Sequence, residues 1–148
     1  MKKLDPKRFS VLAIAVALLA GCATGGSLTD EQRGEIHRIH AGEPVRSFHH
    51  FGTLHSWSPV DDSSIVVHTR PRTAYLLTLS GSCPGLQYAR AISLGDQSGT
   101  VHAGFDNVTV LDRNAIDIPC RIEQIQPIDV DAVREAEKAL RDQVSGGT

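Results

Sequence analysis

Histidine is the residue whose type and spacing open the widest chemistry in this chain. Of its seven histidines, six fall between His37 and His68. Neutral imidazole is a common ligand for zinc and copper. His37 and His40 stand three apart, a spacing that puts both on one face of a helix. His49 and His50 are adjacent and would face opposite ways along a strand; His55 follows soon after. A zinc or copper site drawn from His37, His40, His49, His50 and His55 needs three or four of them to converge within about 2.0–2.3 Å of one ion. No dense motif such as H-E-x-x-H enforces that convergence. Surface and loop histidines, with no cofactor, are therefore the first expectation, and a metal-binding chain is the alternative.

Other polar groups carry less. His55 and Trp57 share a face of one predicted strand, where a histidine beside an apolar neighbour is expected to be a half-buried packing residue. Arg70 and Arg72 flank Pro71 and carry forked donors able to grip a carboxylate or phosphate, but in a turn they read as solvated. Arg121 and Glu123 point the same way along their strand and are expected to pair with each other or with neighbours. A G-x-S-x-G nucleophile elbow, a P-loop and a dinucleotide fingerprint are all absent from the sequence. Ser, His and Asp occur without a spacing that builds a triad, so a hydrolase ranks third among the functions.

The elements that must position these residues follow from periodicity and turn chemistry. A helix is predicted from Asp30 to about Ala41: Thr29 with Gln32 fits a capping box, and Gly42 and Pro44 end the run. Its apolar content, mainly Ile36 and Ile39, is thin and places it at the surface. Strands are predicted over 55–60, 64–69 and 74–80, separated by Asp61-Asp62-Ser63 and Arg70-Pro71-Arg72. The unbroken runs Ile65-Val66-Val67 and Tyr75-Leu76-Leu77 mark central strands covered on both faces. Ser82-Cys83-Pro84-Gly85 is a turn. Further strands are expected over 89–94, 100–105, 108–111 and 120–125, with Gly95-Asp96-Gln97-Ser98-Gly99 as a loop between two of them. A last helix runs from Val130 to about Gln143, with Asp129 as N-cap and Val130, Val133, Ala136 and Leu140 on one face. The expected architecture is α+β: an antiparallel sheet, curled toward a barrel, with a helix at each end of the chain.

The N-terminus has the three parts of an export signal. Lys2, Lys3, Lys7 and Arg8 precede an apolar run from Val11 to Ala20. Ten residues are about half the roughly 20 that cross a bilayer as a helix, and they match a signal-peptide core. The run ends in Leu19-Ala20-Gly21-Cys22, which resembles the lipobox of bacterial lipoprotein precursors. That resemblance implies cleavage before Cys22, a diacylglycerol on its thiol and acylation of the new amino group. Two or three acyl chains hold a protein on a membrane effectively permanently, where one would not. Ala23 in place of Asp lacks the inner-membrane retention signal of Gram-negative lipoproteins, so the expected location is the outer membrane, facing the periplasm.

This reading divides the chain into a signal peptide (1–21), a lipidated cysteine and flexible tether (22–28) and a single domain (29–148). The signal takes four of the 15 basic residues and one of the 17 acidic ones with it, leaving 11 against 16 in the mature 127 residues. Nucleic-acid binding needs a basic footprint, and this balance has the opposite sign. The expected partners are the membrane, through the lipid, and an envelope protein or cell-wall component. With Cys22 committed to lipid, Cys83 and Cys120 remain in an oxidising compartment, where two such cysteines most often pair.

From Trp57 onward the chain also resembles a family of small exported proteobacterial proteins of unknown function. The matching pieces are Ala74-Tyr75-Leu76-Leu77, Cys83-Pro84-Gly85-Leu86, Phe105-Asp106 and Cys120-Arg121-Ile122-Glu123-Gln124-Ile125 before Pro127. They run in order over roughly two-thirds of the mature chain. The resemblance supports the Cys83–Cys120 pairing and implies no activity, ligand or catalytic residue. Together these readings describe a non-catalytic binding or structural module of the cell envelope.

Overall fold

Alternation of apolar side chains along two neighbouring strands builds both cores of this protein. The computed structural model describes residues 27–96, 98–111 and 117–146. In chain order it contains α1 (Asp30–Ile39), β1 (Ser47–His49), β2 (Ser56–Pro59), β3 (Ser64–Arg70), β4 (Thr73–Leu79), a 3-10 turn (Leu86–Tyr88), β5 (Ile92–Leu94), β6 (Thr100–His102), β7 (Asn107–Val110), β8 (Pro119–Ile128) and α2 (Val130–Ser145). Six strands form one curled antiparallel half-barrel in the order β2-β3-β4-β8-β7-β5, while β1 and β6 form a separate two-stranded ribbon.

Ile65 and Val67 of β3 point with Leu77 and Leu79 of β4 into the first core, which also holds Phe48, Leu86, Val101, Val108, Ile122 and Ile125. Val66, Ala74 and Leu76 point the other way, into a second core with Leu28, Ile36, Ile128, Val130 and Val133. The apolar runs are continuous because both faces are covered, one by the ribbon and the 3-10 turn, the other by the two helices. Phe48 and Val101, paired across the ribbon, are its two apolar residues that enter the first core.

Register explains how β8 serves both cores. Leu77 faces Ile125, but Leu79 faces Ile122, so β8 spends three residues where β4 spends two. This bulge lets Ile122 and Ile125 enter the same core despite their odd spacing, and it adds local twist to the sheet. The residues 41–45 then run beside the far half of β8, through bridges Ala41–Ile128 and Val45–Ile125.

Three predicted strands change extent for local reasons. The strand expected over 89–94 shortens to Ile92–Leu94, because Gly85 at φ +78° starts the 3-10 turn that buries Leu86. The strand expected over 100–105 stops at His102: Gly104 adopts φ +82°, and the Asp106 carboxylate accepts from the His102 N–H at 2.6 Å. Strand β8 runs on to Ile128 instead of ending at Ile125. Strand β1 lies outside the predicted elements altogether.

Candidate functional site

A polar cleft of about 880 Å³ opens where α1 meets the β2–β3 turn. Helix α1 starts sharply because the Thr29 hydroxyl accepts from the Gln32 N–H while the Gln32 side chain accepts from the Thr29 N–H, satisfying two otherwise open donors. Close approach of α1 to β2 depends on Gly34, where a Cβ would lie 2.9 Å from Val60 Cγ1. Across this contact Arg38 donates to Asp61.

Asp61 organises the turn. Its Oδ1 accepts from the Ser63 N–H at 2.7 Å and the Ser63 hydroxyl at 3.0 Å. Burial, the largest single influence, raises the Asp61 carboxyl; the donors Ser63, Arg38 and Ser64 together outweigh it and hold the group below the usual 3.8. The next residue ties the turn to the disulfide loop: Asp62 Oδ2 accepts from the Ser82 hydroxyl at 3.0 Å, and Asp62 O accepts from the Cys83 N–H at 2.7 Å. That loop carries Gln87 and Tyr88 to the rim of the cleft, where Tyr88 is 87% exposed. Helix α2 closes the far side with Glu137, which accepts from Arg141 at 2.8 Å.

The disulfide joins Cys83 and Cys120, the pairing expected from the sequence, with Cα atoms 5.7 Å apart. Cys83 sits inside the first core. The bridge fastens the loop after β4 to the start of β8. Cys22 lies outside the described residues.

The candidate histidines are distributed over separate elements. His37, on α1, donates from Nδ1 to the Arg33 carbonyl at 2.7 Å, and His40 is the C-cap of the same helix. His49 and His50 diverge as expected of neighbours at a strand. His49 is exposed and meets Thr100 Oγ1 at 2.8 Å, while the His50 side chain is 9% exposed, with Nδ1 2.8 Å from Gly52 O and Nε2 3.4 Å from Asp96 Oδ2. The His50 Nε2 contact is long and off-axis, an ion-pair distance rather than a formed hydrogen bond. Among the described residues no group of three or more His, Cys, Asp or Glu side chains is arranged to hold a metal ion.

Two readings of polar residues need correction. His55 is exposed, not half-buried: β2 begins at Ser56 on the sheet edge, so His55 lies at its open end while Trp57 alone packs inward. Arg121 and Glu123 form no ion pair among the described residues, because Glu123 is the extra residue of the β8 bulge and alternation fails there. Arg70 lies with its guanidinium carbon 5.5 Å from the Phe51 ring centroid, and the Pro71 carbonyl accepts from Arg134 of α2 at 3.0 Å.

Sequence reasoning passed over His68. It lies on β3, on the face shared with Val66 and covered by the helices, and its pKa is lowered by burial first and then by the nearby His37, His55 and Arg134. The usable signal was its place at the end of an apolar strand, where an imidazole is half-buried and favours its neutral form.

His37, Ser58 and Asp61 all line the cleft. His37 spends Nδ1 on Arg33, however, and the Asp61 oxygens are taken by Ser63 and Arg38. The nucleophile–base–orienter relay of a hydrolase, each within hydrogen-bond reach of the next, is not formed by these three. The cleft instead offers carboxylates, guanidinium groups, an amide and one exposed aromatic ring, groups suited to holding a polar or charged ligand.

Fold and site define a small disulfide-bridged α+β half-barrel with a polar cleft on its helical side. A family model described as a family of unknown function (DUF6491) matches residues 6–144. The chain belongs to that family. No curated protein and no solved structure matches it.

Proposed function

We propose that the chain is the precursor of a small envelope lipoprotein: exported, cleaved before Cys22, held by lipid on the outer membrane facing the periplasm, and working there as a non-catalytic binding module. The observation that carries this reading is the basic start, ten-residue apolar run and Leu19-Ala20-Gly21-Cys22, followed six positions later by Leu28, which is buried in the second core. A lipid anchor, a short spacer and a folded domain are the parts such a protein needs. Among the described residues no helix is long and apolar enough to cross a membrane. The ligand seat is the cleft between α1 and the β2–β3 turn.

Intact mass of the protein from the membrane fraction of its native host tests this directly. The expected result is a chain beginning at Cys22 with added acyl mass, gaining about 2 Da on reduction for the two hydrogens one disulfide takes up. Cys22→Ser should leave the chain uncleaved and unacylated. A wild-type chain retaining residues 1–21, or one starting at Cys22 without lipid, would sink the proposal.

A further inference from the structure

His50 carries a chemical demand that lies outside the cleft. Its side chain is 9% exposed, and Nε2 is buried without a hydrogen-bond partner. Nδ1 lies 2.8 Å from the Gly52 carbonyl oxygen, which can only accept, so Nδ1 carries a hydrogen. Nε2 then presents either a lone pair or a second N–H to the Asp96 carboxylate, whose Oδ2 is 3.4 Å away. A charged N–H closes on a carboxylate to about 2.7–2.9 Å along its axis; here no hydrogen bond forms. Two lone-pair atoms facing each other in a buried place are unfavourable unless a cation lies between them.

The separation is that of two ligands on one ion. Zinc bonds of about 2.0–2.1 Å to an imidazole nitrogen and about 2.0–2.2 Å to a carboxylate oxygen, at the tetrahedral angle, place the two donors about 3.4 Å apart. Each donor is also aimed by a backbone group, as metal ligands usually are: His50 by the Gly52 carbonyl, and Asp96 by the Gly99 N–H, which donates to Oδ2 at 2.7 Å. The two segments are joined directly, because the His50 N–H donates to the Gly99 carbonyl at 2.9 Å. Gly99, at φ +78°, permits that approach: a Cβ there would meet the His50 carbonyl oxygen at 2.8 Å. Among the described residues no third His, Cys, Asp or Glu side chain joins the pair, which leaves the other coordination positions to water or a bound ligand. They are reached from the side of Asp96, whose side chain is 25% exposed. A nitrogen–oxygen donor pair selects zinc or copper(II) over magnesium and calcium, which take oxygen ligands.

We propose that His50 Nε2 and Asp96 Oδ2 bind a divalent transition ion, zinc in the first place, which clamps the β1–β2 connection to the loop before β6. The site is separate from the cleft and stands without the lipid anchor. The test titrates zinc into full-length protein, prepared without an affinity tag and stripped with chelator, followed by calorimetry with magnesium and calcium as comparators. The expected result is one zinc per chain, bound at least about tenfold more weakly in His50→Gln and in Asp96→Asn. His49→Ala, at the exposed neighbour, should leave it unchanged. Asp96→Asn keeps an acceptor for the Gly99 N–H, so a loss there reports the ion and not the loop, and Trp57 fluorescence checks that each variant is folded. Imidazole nitrogen NMR of the wild-type protein gives a readout that needs no variant: zinc should move the His50 Nε2 resonance and leave Nδ1 bonded to hydrogen. No saturable binding, binding that survives both substitutions, loss in His49→Ala, an equal response to magnesium, or an Nε2 that still carries hydrogen when zinc is present overturns the site.

Discussion

Removing the Cys83–Cys120 bridge is the perturbation whose size follows most directly from the structure. The bridge spans a sequence separation of 37. The chain-entropy relation assigns a loop of that length about 12.9 cal/mol/K, or about 3.8 kcal/mol at 25 °C. A domain of about 120 residues has an unfolding entropy near 250 cal/mol/K at its midpoint, so the expected fall in Tm is about 15 °C. The single tryptophan, Trp57, packs against the first core and reports unfolding by its fluorescence. Urea titration of wild type against Cys83→Ala/Cys120→Ala should show the lower midpoint together with a larger m-value, since the uncrosslinked unfolded chain exposes more surface. A loss below about 1 kcal/mol with an unchanged m-value would refute the argument that the bridge acts by restricting the unfolded chain. An intermediate loss confined to the native state would trace instead to the core space left by Cys83.

Three further perturbations separate the forces around the cleft. Gly34→Ala gains up to about 1 kcal/mol of helix propensity but sets a methyl against the stiff Val60 side chain. Overpacking of that kind costs about 1–3 kcal/mol, so the variant should be less stable by thermal melting, and Val60→Ala in the same chain should reverse the sign. Asp61→Ala removes the acceptor for the Ser63 N–H, the Ser63 hydroxyl and Arg38; a loss of about 2 kcal/mol is expected, and an equal loss in Ser63→Ala/Arg38→Ala would put most of it on the side-chain partners. Acid titration should show two contributions. His68 has a folded pKa below the 6.5 of the free group, so the unfolded chain binds its proton first and stability falls as pH drops from about 6.5 through the folded value. Asp61, lowered from 3.8, adds stability above that value and loses it as pH falls through its own folded pKa. In His68→Gln the first decline should shrink while the second stays; an unchanged decline near pH 6 would remove His68 as its source.

The elements legible in the sequence are those whose signals are local. Thr29 and Gln32 announced α1, Asp129 announced α2, and the double-sided runs on β3 and β4 announced a sheet covered on both faces; each is set by contacts within a few residues or by burial alone. Strand β1 carried no such signal. Its three residues, Ser47-Phe48-His49, become a strand through pairing with Thr100–His102, more than fifty residues away, and only Phe48 buries enough surface to hold it. Strand order was illegible for the same reason: β6 leaves the sheet to join β1, which makes β5 and β7 neighbours. The bulge in β8 also depends on its partner β4. Periodicity of one strand contains nothing about where its neighbour skips a residue.

The cleft was harder to read because it is made by approach rather than by motif. Gly34 looks like a weak point in a ten-residue helix whose apolar content is thin. Its missing side chain is the space that Val60 fills, and that contact brings Arg38 to Asp61. Asp61 and Asp62 were legible as a turn, but their roles divide: the first holds α1, the second holds the loop with Cys83 and so positions Gln87 and Tyr88. Only Gly34 and Ile36 of α1 are buried. The helix is therefore held to the domain by Ile36 in the second core, the Val60 contact, the Arg38–Asp61 pair and the Asp129 N–H donating to the His40 carbonyl, while the opposite wall is fixed by the disulfide loop. Local opening of α1 should cost less than opening of β3, β4 and β8, which share two cores. With one wall clamped and the other lightly held, the cleft can widen without disturbing the sheet.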